Sequence, residues 1–122
     1  MSSCSTNIPF EPPASSEKLA NFTAIQTQIF DTGCAVSGCH VGPNPSAGLN
    51  LMAGESYTQL VEVQSVLYPT LRRVDKGSSD ESVLLLILDG SVGPRMPLGQ
   101  IPLSSSITDS IKKWIDAGAP NN

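Results

Sequence analysis

Two thiols and an imidazole stand within seven residues, Cys34-Ala35-Val36-Ser37-Gly38-Cys39-His40, and no other stretch of the chain concentrates so much reactive chemistry. Three chemistries suit such a cluster. In a c-type haem site, two thiols add across the porphyrin vinyl groups and the histidine directly after the second cysteine coordinates the iron. The usual spacing places two residues between the cysteines; here there are four, and Gly38 offers the backbone freedom a longer link needs to bring both sulfurs to one porphyrin edge. A closed zinc site normally takes four protein ligands, whereas only three are local and the remaining cysteine, Cys4, is distant. A Cys34–Cys39 disulfide, with His40 an ordinary loop residue, is the third alternative.

The elements around the cluster must bring it to a ligand. Leu19, Phe22, Ile25, Ile29 and Phe30 recur at helical spacing, which predicts a first helix over 17–31, with Ser15 or Ser16 as N-cap and Gly33 as a left-handed stop. Gly and Pro then interrupt every period from about Cys39 to Gly54. Ser56 is expected to cap a short helix carrying Tyr57, Leu60 and Val61, followed by an extended piece at 71–74 and a turn at 75–77. Acidic Asp80 and Glu81 precede the apolar run Val83 to Leu88, a third helix ending near Gly90. Pro94, Pro97 and Pro102 make a stiff irregular loop around Met96. Ile107, Ile111, Trp114 and Ile115 form one apolar stripe, predicting a helix over 105–117 with Trp114 in the core.

The order of these parts resembles the class I c-type cytochromes, in the variant with four residues between the haem cysteines. The resemblance spans roughly Leu19 to Pro120: a first helix, Cys39-His40, a Met96-Pro97 pair and a terminal helix, with Arg95-Met96-Pro97-Leu98-Gly99 and Ile111-Lys112-Lys113-Trp114-Ile115-Asp116-Ala117-Gly118-Ala119-Pro120 similar to the endings of bacterial members. It implies an all-α, cytochrome c-like fold of about four short helices with long loops around one covalent haem c. It also implies His40 and Met96 as the two axial ligands, 56 residues apart. Met52 is the rival thioether, although Leu49, Leu51 and Met52 suit a strip lining the pocket. The resemblance further places the partner of the second His40 nitrogen in the stretch 42–48, with the Pro43 carbonyl the first choice. Of Arg72, Arg73 and Arg95, candidates for the haem propionates, Arg95 is favoured because Met96 adjoins it.

Composition agrees with such a domain and excludes other classes. The chain has 122 residues, 39% hydrophobic and 15% charged, with only six aromatic rings and 20 Gly plus Pro, so one loop-rich core is expected. Residues 1–16 read as a Ser- and Pro-rich leader or tether, and 17–122 as the domain. A net charge of -4 lacks the positive field that attracts nucleic acid. No apolar run approaches the roughly 20 residues of a membrane-spanning helix. The resemblance implies electron transfer with transient redox partner proteins, a monomer, no catalysis, and a periplasmic or cell-surface location. There Cys4 becomes a candidate lipid anchor, or else an incidental thiol. A haem enzyme or sensor with an open sixth position, and a haem-free disulfide-stapled module, are the competing functions.

Overall fold

The computed structural model describes residues 21–36 and 38–122. The expected leader, its Cys4 and the first turn of the predicted helix at 17–20 lie outside the described residues.

The first described helix is α1, Phe22–Ile25, with Asn21 as its N-cap, the Asn21 side chain accepting from the Ala24 N–H at 2.8 Å; the expected caps Ser15 and Ser16 lie outside the described residues. It continues without a break as a π-helical segment, Gln26–Cys34. The buried residues explain the wider winding. Ile25 and Phe30, and again Ile29 and Cys34, are five apart, the spacing that the i→i+5 bonds of a π-helix bring onto one face. Gly33 therefore does not stop the helix; the segment runs through Cys34, and the Ala35 N–H bonds the Phe30 carbonyl at 2.7 Å. The left-handed residue is Gly38, φ 84°, which turns the chain back so that the His40 N–H reaches the Cys34 carbonyl at 3.1 Å.

Helix α2, Ser56–Leu60, has Glu55 at its N-cap position without a side-chain cap, and Ser56 is not the cap: its buried hydroxyl donates to Gln26 Oε1. The predicted extended piece survives only as isolated bridges, Val61 with Val74 and Gln64 with Arg72, and the described residues contain no strand. These bridges hold residues 61–74 as a hairpin-like loop. A 3₁₀ turn, Ser79–Glu81, leads into α3, Val83–Leu88, and Gly90 (φ 84°) ends it as expected. Helix α4, Ser105–Asp116, starts after Ser104 and buries Ile107, Ile111, Trp114 and Ile115, its predicted stripe. Beyond it, Gly118 (φ 103°) lets the Ala119 N–H return to the Trp114 carbonyl at 2.9 Å.

Among the described residues the chain forms a mostly helical small domain with four α-helices, the first continued by the π-helical segment, joined by long irregular connections. Phe22 is the hub of its packing: it stacks on Trp114 of α4 at 5.2 Å between ring centroids and meets Tyr57 of α2 edge-on at 5.2 Å. The Trp114 indole N–H donates to the Pro120 carbonyl at 2.9 Å, and the Tyr57 hydroxyl to Ala119 at 2.6 Å, so the polar ends of both rings are satisfied. Ile107, Ile111 and Ile115 are fully buried, each contributing about 1.5–3 kcal/mol of apolar transfer. No helix among the described residues is long and apolar enough to cross a membrane.

Candidate functional site

Among the described residues, one face of this core opens into a cavity. A cavity of about 790 Å³ opens between the π-helical segment, the 39–51 loop, α3 and the proline-rich loop, within the roughly 300–1,000 Å³ of small-molecule sites. Phe30, Leu51, Leu60, Leu84 and Leu88 belong both to its wall and to the core cluster, so the apolar core itself is what faces the cavity.

Cys34, Cys39, His40 and Met96 all lie on this wall. His40 is buried, and its Nδ1 stands 3.1 Å from the Leu49 carbonyl. A carbonyl only accepts, so Nδ1 carries the proton in this bond, and in the neutral ring Nε2 keeps its lone pair for a ligand. Loss of hydration holds the His40 pKa below 6.5; the Leu49 and Ser46 backbone pulls the other way, and the Arg73 cation adds to the lowering. A neutral imidazole is the form that binds a metal. The partner of Nδ1 is thus Leu49, just past the expected 42–48 stretch, and Pro43 is not on the cavity wall. The Leu51 N–H closes onto the His40 carbonyl at 2.8 Å, which fixes the turn that presents Leu49.

Cys34 carries a free, buried thiol, its pKa pushed up to about 12 by desolvation. Cys39 is buried and disulfide-bonded. The free Cys34 thiol rules out the local Cys34–Cys39 bridge that the spacing alone allowed. No group of three or more His, Cys, Asp or Glu is gathered to hold a metal among the described residues, so the zinc alternative finds no ligand set there.

Met96 is half-buried, packed against the core, and its N–H is tied to the Ile87 carbonyl of α3 at 3.0 Å. Leu49 and Leu51 line the cavity as expected, but Met52 is 42% exposed and is not among the wall residues. Met96 is left as the thioether at the site. The arginines also differ from expectation. Arg95 is exposed, with its guanidinium folded over Gly90, and is absent from the wall. Arg72 pairs with Glu62. Arg73 is the arginine on the wall, held by the Gln59 carbonyl at 2.8 Å and the Ala47 carbonyl at 3.1 Å, and its partial burial lowers its pKa.

A network that sequence reasoning missed supports the histidine side. Gln26 is buried in the π-helical segment; its amide donates to the Leu51 carbonyl at 2.8 Å and to Asp31 at 2.7 Å, while its oxygen accepts from Ser56. The available signal was a lone Gln next to Ile25 on the apolar side of the first helix.

The chain matches no known protein-family profile, no curated protein and no solved structure.

Proposed function

We propose that this chain is a one-electron carrier with one covalently attached c-type haem, resembling the class I c-type cytochromes. The observation that carries this proposal is the convergence of Cys34, Cys39, His40 and Met96 on one apolar cavity, although Met96 lies 62 residues beyond Cys34 in sequence. The donor set is chemically suited to the group: two sulfurs to tether, an imidazole nitrogen and a thioether to ligate, and apolar walls to exclude water. Haem supplies the reversible Fe(III)/Fe(II) couple, and Met96 beside His40 would favour the reduced state relative to two nitrogen ligands.

The chain's own residues do the rest. The Leu49 carbonyl orients the His40 ring, and the tie of Met96 to Ile87 keeps the thioether on the wall. His40 and Met96 would hold the iron between them and leave no open position for oxygen or peroxide, which favours electron transfer over catalysis. Thioether formation needs both sulfurs as thiols, so the Cys39 disulfide must first be reduced by a thiol reductant. Cys34 is already a thiol, on the wall of the cavity. The family resemblance adds a periplasmic or cell-surface location with transient redox partners, and a monomeric chain is the default; Cys4 is a lipid anchor or an incidental thiol, and an anchor there requires its sulfur to be free of the Cys39 disulfide.

An optical spectrum of haem-loaded protein tests the ligand set. His40 and Met96 together give a six-coordinate, low-spin haem with a weak near-infrared sulfur-to-iron band when oxidised. A five-coordinate, high-spin spectrum would instead support the enzyme or sensor alternative, and absence of a Soret band would defeat both.

A further inference from the structure

The cavity mouth is bounded by two flaps. One is the tip of the hairpin-like loop 61–74, where Val66 and Leu67 line the cavity while remaining 61% and 53% exposed. This tip is well braced internally: the Leu71 N–H bonds the Tyr68 carbonyl at 2.9 Å, the Tyr68 N–H bonds Ser65 Oγ at 3.0 Å, and Gln64 Nε2 donates to the Pro69 carbonyl at 2.6 Å. The other flap is the proline-rich loop, which contributes Pro94, Met96, Pro97 and Leu98. Its backbone is tied to α3 at Val92, whose N–H reaches the Leu86 carbonyl at 3.2 Å, and at Met96. Between these two ties, the Tyr68 hydroxyl donates to the Gly93 carbonyl and so joins the two flaps, one residue after Leu67 and one before Pro94 of the cavity wall.

We infer that Tyr68 is a positioning residue: by clasping the braced hairpin tip to Gly93 it pins Met96 in the cavity wall and restricts entry of small competing ligands. A hydroxyl fixed on a rigid tip removes slack from the loop segment that leads into Met96. This inference rests on the proposed function for the ligand role of Met96, while the clasp itself is a property of the chain alone.

Tyr68→Phe keeps the ring and deletes the donor. In the haem-free full chain, amide hydrogen exchange at Met96 and Val92 is expected to rise about fivefold, the worth of one hydrogen bond, with Ile111 and Ile115 of α4 unchanged. Unchanged exchange at Met96, or an equal rise throughout α4, overturns the clasp. In haem-loaded protein, the rate at which imidazole displaces Met96 from the oxidised iron should rise by a similar factor, with the sulfur-to-iron band retained before imidazole is added. An unaltered displacement rate overturns the restriction on ligand entry. If the chain proves to carry no haem but the exchange pattern appears, the proposed function fails and the clasp stands.

Discussion

Gln26 is the side chain whose removal should do most damage to the histidine side of the cavity without touching a ligand. Gln26→Leu preserves most of the volume but deletes the acceptor of the Ser56 hydroxyl, which is only 1% exposed, and the donor to the Leu51 carbonyl. Each buried polar group left without a partner costs about 1–3 kcal/mol, so the single variant, which orphans two, should lose about 2–6 kcal/mol. Ser56→Ala alone leaves the Gln26 oxygen unpaired and should lose about 1–3 kcal/mol. Combining the two removes the orphaned hydroxyl and the orphaned oxygen together, so the double variant should lose less than the sum of the singles by about 2 kcal/mol or more. Urea unfolding of the four proteins, followed by circular dichroism with a common slope, measures this cycle. Strict additivity, or a Gln26→Leu loss below about 0.5 kcal/mol, would refute the claim that this network braces the site.

Met96→Ala should lower the reduction potential and let carbon monoxide bind the reduced iron; potentiometry and a carbon monoxide difference spectrum check both, and an unchanged potential would transfer the ligand role away from Met96. Cys34 in the folded, haem-free chain should resist iodoacetamide at pH 8 and react fully in urea, because burial keeps its thiol protonated; mass spectrometry after each treatment reads the outcome, and fast labelling of the folded chain would contradict the buried placement. Asp116 accepts from the Ser79 N–H at 3.0 Å, and this backbone hydrogen bond, helped by Ser79 Oγ and Lys112, holds its carboxyl below 3.8. Its folded pKa is depressed, so the stability it contributes is present above the unfolded value and lost as pH falls through the folded one; Asp116→Asn should flatten the acid limb of a pH–melting-temperature curve below about pH 4, and an unchanged limb would count against the linkage.

Much of the framework was legible because it depends on local periodicity. The stripe Ile107, Ile111, Trp114 and Ile115 specified α4 and the burial of Trp114, and the run from Val83 to Leu88, with acids before it and Gly90 after it, specified α3. The first helix was legible as a helix but not in its winding: the five-residue intervals from Ile25 to Phe30 and from Ile29 to Cys34 carried the π-helical signal, and they overrode Gly33 as a stop. At the site, the side chains that carry chemistry stand in the sequence and reach the cavity, as Cys34, Cys39, His40 and Met96 do. Their supporting partners were not legible. Leu49 rather than Pro43 meets His40 because a backbone carbonyl is presented by the path of an irregular loop, which no residue type marks. Arg73 rather than Arg95 faces the cavity because bridges from 61 to 74 set which of two adjacent arginines turns inward, and proximity of Arg95 to Met96 in sequence says nothing of its direction.

The decisive determination is the mass and visible spectrum of the full chain produced in a host that exports it and attaches haem. A species heavier by one haem that survives denaturation, red, with a Soret band and with iron bound to the His40 nitrogen, is the expected result. A colourless product of unmodified mass, or a pigmented one in which His40→Ala leaves the spectrum unchanged, would contradict it.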